Sequence, residues 1–146
     1  MNTRGQDRWR VLRLAVGTVL LAGASFGHSA RAQGLLDEET TQLLVGAVEA
    51  AAELDLYNAR CRSDQSGRRT ENLNKALAGR FRITVIGVQD RYFPERSYRK
   101  SQERIQNAFL ERLKAAGGCA EAKTSGLREA LEARHRDTLG AIEALP

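Results

Sequence analysis

Asp37-Glu-Glu-Thr-Thr-Gln-Leu43-Leu-Val-Gly-Ala-Val48-Glu49-Ala-Ala-Ala-Glu53-Leu-Asp-Leu-Tyr-Asn-Ala-Arg60 settles the fold class. Leu43, Leu44, Ala47, Val48, Ala51 and Leu54 recur three or four residues apart, the spacing that lines one side of an α-helix. Asp37, Glu38 and Glu39 fall in its first turn, where the positive end of the helix dipole favours carboxylates. The run of alanines has high helix propensity and lets a neighbouring helix approach closely. Glu49 and Glu53 fall off the stripe, and the pattern assigns them to a face away from the core. The spacing predicts a helix over 37–60.

Downstream the same period recurs. Ser63 to Arg69 is polar and contains Gly67, so it reads as a loop. Thr70 is a suitable cap for a second helix, whose stripe is Leu73, Leu77, Phe81, Val85 and Val88. Within it, Phe81-Arg-Ile-Thr-Val85 alternates apolar and polar residues, a strand signal. Helix is preferred, because a lone strand needs a partner and no second strand pattern is visible. Gly79 and Gly87 weaken that helix by about 1 kcal/mol each relative to Ala. Pro94 breaks the chain and biases Phe93 to extended backbone. A third helix over 95–116 carries Tyr98, Ile105, Phe109 and Leu113 and ends at Gly117-Gly118. A fourth over 125–145 carries Leu127, Leu131, His135, Leu139 and Ile142.

Four amphipathic helices with short joints predict an all-α, up-down four-helix bundle. The cysteines bear on this. Cys61 ends the first predicted helix and Cys119 lies just past the third, and alternating topology puts those two ends at one pole. A Cys61–Cys119 disulfide is therefore expected, closing a loop of about sixty residues.

Such a bond needs an oxidising compartment. Residues 1–32 supply the address: a basic start with Arg4, Arg8, Arg10 and Arg13, an apolar run from Leu14 to Phe26, and Ala30-Arg-Ala32. That order is the pattern of a cleavable signal peptide, with residues 33–146 as one helical domain. The apolar run is shorter than the roughly 20 residues a membrane span needs. No later segment is long and apolar enough to span either, so no stable membrane span is expected after cleavage. No cysteine follows the run to carry a lipid anchor. Arginine outnumbers lysine, a bias of high-GC bacteria, so the expected location is a periplasm or the secreted fraction.

Charge follows from the same division. The whole chain carries +5, but residues 1–32 hold five arginines against one aspartate. The remainder has 18 basic and 17 acidic groups, which excludes nucleic acid as an expected partner. The remaining charge is uneven. Residues 33–59 hold six acids and no base, while residues 60–104 hold twelve bases against five acids. The two segments can attract each other within one fold.

The strongest binding candidate is Arg91-Tyr-Phe-Pro-Glu-Arg-Ser-Tyr-Arg-Lys100, which gathers Arg91, Arg96, Arg99 and Lys100 beside Tyr92, Phe93 and Tyr98 around a bend. Guanidinium forks grip carboxylate and phosphate, and aromatic faces add stacking area. Arg60, Arg62, Arg68 and Arg69 form a second basic cluster near Cys61. Glu132-Ala-Arg-His135 has the Glu-x-x-His spacing of di-iron bundles, but it occurs once and no second histidine follows residue 32. His135 is therefore expected to be a packed histidine, with no metal and no cofactor. No Gly-x-Ser-x-Gly and no Gly-x-x-x-x-Gly-Lys is present, so no catalytic residues are assigned. The expectation is a small exported, non-catalytic helical protein that binds a protein or an anionic envelope component through the Arg91–Lys100 corner. A metal-binding or redox bundle and a self-assembling envelope component are the alternatives.

Overall fold

The computed structural model describes residues 36–146. The signal-peptide reading of residues 1–32 lies outside them. Six helices follow one another: α1 (Glu38–Arg62), α2 (Arg68–Phe81), α3 (Val85–Tyr92), α4 (Tyr98–Ala115), α5 (Gly118–Ala122) and α6 (Leu127–Ala144). No strand occurs among the described residues.

The second predicted helix is two helices. Arg82 adopts a left-handed backbone with φ of 54° and ends α2. Thr84 is extended, and its side chain accepts the Gly87 amide at 3.0 Å to start α3. The alternation of Phe81–Val85 thus belongs to a short joint. Ile83 and Val85 plug the core from it, while Arg82 and Thr84 stay exposed. The joint shows the period of a strand because exposed and buried residues alternate along it, but it forms no strand. The third predicted helix, α4, does end before Gly117-Gly118, both at φ of 85°, and Gly118 begins a short further helix, α5.

Helix α1 packs against all five other helices. Its buried residues therefore run round its circumference instead of forming one stripe: Leu44 and Val48 on one side, Ala50 and Glu53 on others. One core cluster joins Leu44, Ala47 and Val48 to Leu77, Ile105 and Ile142. A second joins Leu54 and Tyr57 to Phe109, Leu113, Ala122 and Leu131. Burying each large apolar side chain contributes about 1.5–3 kcal/mol. The clusters also set direction. Leu131 meets the later part of α1 and Ile142 the earlier part, so α6 runs against α1. Ile105 precedes Phe109 and Leu113 in the same sense as Leu44 precedes Leu54 and Tyr57, so α4 runs with it.

Helix starts are tied by residues of earlier helices. Asp55 on α1 accepts the Arg69 and Thr70 amides of α2 at 3.1 and 2.8 Å. Asn74 on α2 accepts the Val85 amide at 2.9 Å, and Asp90 on α3 accepts the Tyr98 amide at 2.7 Å. Gly67 and Ser97, the formal caps of α2 and α4, make no side-chain cap bond of their own. Each borrowed cap contributes about 1 kcal/mol and also fixes where the next helix begins. At the far end, Arg80 of α2 donates to the Glu143 carbonyl at 2.8 Å and to the Leu145 carbonyl, closing α2 onto the end of α6.

The Cys61 and Cys119 sulfurs sit at bonding distance, 1.97 Å, joining the end of α1 to α5.

Candidate functional site

The turn between α3 and α4 carries the basic-aromatic segment. Phe93 is extended, with φ of −72° and ψ of 149°, as a residue before proline must be. Arg96 has φ of 44°, and its amide donates to the Phe93 carbonyl at 3.0 Å. This left-handed residue lets the chain reverse into Ser97 and the first turn of α4. Arg91, Arg96, Arg99 and Lys100 are all exposed. None of them forms an ion pair among the described residues. The first turn of α4 contains no acid, so Arg99 and Lys100 add to the positive end of the helix dipole.

The aromatics divide. Tyr98 is 44 % exposed, although its spacing put it on the buried stripe. Tyr92 is half-buried. Phe93 is buried in the core and lies 5.4 Å beneath the Arg104 guanidinium. Its expected place on a binding surface is corrected: that ring anchors the turn from inside.

An ion-pair chain holds the turn to the rest of the protein. Glu95, in the turn, accepts from Arg104 Nε at 2.6 Å. Arg104 Nη2 donates to Glu49 at 2.9 Å. Glu49 also receives Arg134 Nη2 at 3.0 Å, and Arg134 Nη1 reaches Glu53 at 2.9 Å. Arg112 Nη1 completes the set on Glu53 at 2.9 Å. Three carboxylates and three guanidiniums thus link the turn, α4 and α6 to α1. The outward-facing assignment of Glu49 and Glu53 is corrected here. The two acids do leave the apolar stripe, but α4 and α6 cover that face as well. Burial alone would raise the Glu95 carboxyl; its own backbone amide and Arg104 outweigh that and hold it below the usual carboxylate range.

Arg104, Arg112 and Arg134 were not singled out from sequence. The available signal was charge imbalance: six acids without a base over residues 33–59 require basic partners from elsewhere. In the second basic cluster, Arg60, Arg62 and Arg68 are exposed and Arg69 is half-buried.

His135 is half-buried on α6, and its Nδ1 is buried without a protein partner. Glu132 turns instead to Arg128, at 2.9 Å. Among the described residues no three His, Cys, Asp or Glu side chains are grouped as a metal site. Burial, then the nearby Arg69, push the imidazole below its ordinary pKa, and Asp55 opposes them. The neutral ring is thus favoured in the fold, while the unfolded chain takes up a proton near pH 6.5. Unfolding free energy is expected to fall as pH drops through about 6.5, and this loss should shrink in His135→Gln. Urea titrations at several pH values check it; the same slope in both proteins would remove the assignment.

A groove of about 550 Å³ lies among α1, α2, α3 and α4. Ala52, Leu56, Ala59, Val85, Ile86 and Tyr98 give it apolar walls, and Asp55, Asp64 and Glu71 are its acids. Asp55 is engaged in starting α2, and Glu71 pairs with Lys75 at 2.7 Å. Sequence reading missed this groove, because it depends on the break at Arg82 that swings Ile86 away from the line of α2.

No described helix is long and apolar enough to cross a membrane. Comparison with protein-family models, curated proteins and solved structures gives no match.

Proposed function

We propose that this chain is a small exported, non-catalytic helical protein that binds an anionic partner through the α3–α4 corner. One observation carries the reading: Arg91, Arg96, Arg99 and Lys100 are exposed and unpaired among the described residues, on a turn fixed by Glu95, Phe93 and Arg104. Charges held on a fixed support lose less freedom on binding than charges on a loose loop. Arg104, Arg112 and Arg134, by contrast, are consumed by Glu49 and Glu53.

In this reading residues 1–32 direct the chain out of the cytoplasm and are removed, and the periplasm supplies the oxidising conditions for Cys61 and Cys119. The opposed direction of α6 and the shared direction of α1 and α4 favour an up-down bundle of the four long helices, with α3 and α5 as inserted joints.

Reversing Arg96, Arg99 and Lys100 to glutamate together is expected to abolish capture of the native partner from envelope extracts. Reversing Arg60, Arg62 and Arg68 to glutamate should leave it intact. Equal loss in both variants would show a diffuse charge effect and remove the corner from the account.

A further inference from the structure

We infer that the anionic partner of the α3–α4 corner is the headgroup layer of an anionic lipid bilayer, with Ile86 and Tyr98 entering the interface from the groove beside the corner. The inference rests on the anionic-partner reading above and adds the kind of surface. Ile86, 51 % exposed, and Tyr98, 44 % exposed, are the large apolar side chains left open to solvent among the described residues. Both lie on the same groove, next to the corner. Asp90 fixes their relation: it sits one turn after Ile86 on α3 and accepts the Tyr98 amide at 2.7 Å. Arg99 and Lys100 follow Tyr98 directly, and Arg91 follows Asp90. A tyrosine and an aliphatic residue beside unpaired arginines and a lysine match the needs of a peripheral membrane contact. The apolar pair is buried at the headgroup boundary, the phenol stays wet and the cations meet phosphates.

The site has no cradle for a small anion. The groove is lined by carboxylates and by no Arg or Lys. The shallow depression that includes Lys100 also contains Glu103 and Glu111. The four cations instead spread over the end of α3, the turn and the first turn of α4, which suits a surface of mobile phosphates better than one fixed ligand. Two acids of the corner are occupied, Asp90 by the Tyr98 amide and Glu95 by Arg104, while Glu103 one turn along α4 is exposed.

The test uses protein expressed from the full-length gene, purified with its cysteines oxidised, and floated with phosphatidylglycerol-rich or pure phosphatidylcholine vesicles. Retention on immobilised polyglutamate is measured in parallel. Binding to the anionic vesicles alone is expected. Each cation at such a surface contributes roughly fivefold to partitioning, so the triple reversal of Arg96, Arg99 and Lys100 should lower it more than about 100-fold. The pair Ile86→Ser and Tyr98→Ser should lower it about tenfold while leaving the charges in place. Reversal of Arg60, Arg62 and Arg68 should change it little. Several results overturn the inference. No vesicle binding, but corner-dependent retention on polyglutamate, removes the lipid and leaves the anionic-partner reading. No binding to either removes both. Equal loss from the two clusters, or no loss from the Ile86 and Tyr98 substitutions, also removes the lipid contact as drawn.

Discussion

Replacing Cys61 and Cys119 together by serine is expected to lower the unfolding free energy by about 4 kcal/mol. The two residues are 58 positions apart, and the loop between them contains α2, α3 and α4. A bond across that span removes a large part of the unfolded chain's freedom, and the chain-entropy relation gives the quoted size. Cys61 and Cys119 also pack beside the cluster of Leu54, Tyr57 and Phe109. For a domain of this size the loss corresponds to a fall in Tm of roughly 15 °C. A small domain has only about 5–15 kcal/mol in total, so the bond decides whether the fold has a safe margin. Reduction of the unsubstituted protein should reproduce the double variant in urea and thermal titrations. A shift of only a degree or two, with or without reductant, would mean that the helices hold those ends together unaided and that the oxidising compartment has no bearing on stability.

The helical class and most of the core were legible in the chain because period and propensity agree there. Leu44, Ala47, Val48, Ala51 and Leu54 are buried as their spacing requires. Ile105, Phe109, Leu113, Leu131 and Ile142 are buried on the later helices. The cysteine pairing followed from topology, since alternating helices bring those two ends together. What escaped was whatever depends on the third dimension. Glu49 and Glu53 read as surface because a single helix has one apolar stripe, but a central helix is covered on every side. The break at Arg82 was hidden because Leu77, Phe81, Val85 and Val88 keep helical spacing straight through it. Phe93 looked like part of a binding surface because its neighbours are charged, yet the turn folds it inward. At the corner itself the cations were legible, because residues 91–100 hold four bases against one acid, Glu95. The exposure of Ile86 and Tyr98 was not, because it is the groove that leaves them uncovered.

Glu53→Ala is expected to cost about 2–3 kcal/mol, far more than a surface acid should. Glu53 is 4 % exposed and receives both Arg112 and Arg134. Removing one partner of a buried pair ordinarily costs about 3–5 kcal/mol, because a charge is left without water or partner. Here the stranded groups are guanidiniums with side chains 44 % and 36 % exposed, so they can turn partly to solvent, and the cost is reduced accordingly. Arg134 also keeps Glu49. A double-mutant cycle between Glu53 and Arg134 should return a coupling above about 1 kcal/mol, whereas the exposed pair Glu71 and Lys75 should return less than about 0.5 kcal/mol. Equal couplings would reduce the interior network to one more set of surface contacts. The network also separates two jobs. Glu53 clamps α4 and α6 to α1, whereas Glu49, Arg104 and Glu95 continue the clamp to the cationic turn. In protein that remains folded, Glu53→Ala should therefore leave vesicle binding near its original level. Phe93→Leu, which loosens the anchor of the turn without changing its charge, should weaken it. If both substitutions reduce binding only in proportion to lost stability, the fixed support assigned to the corner contributes nothing.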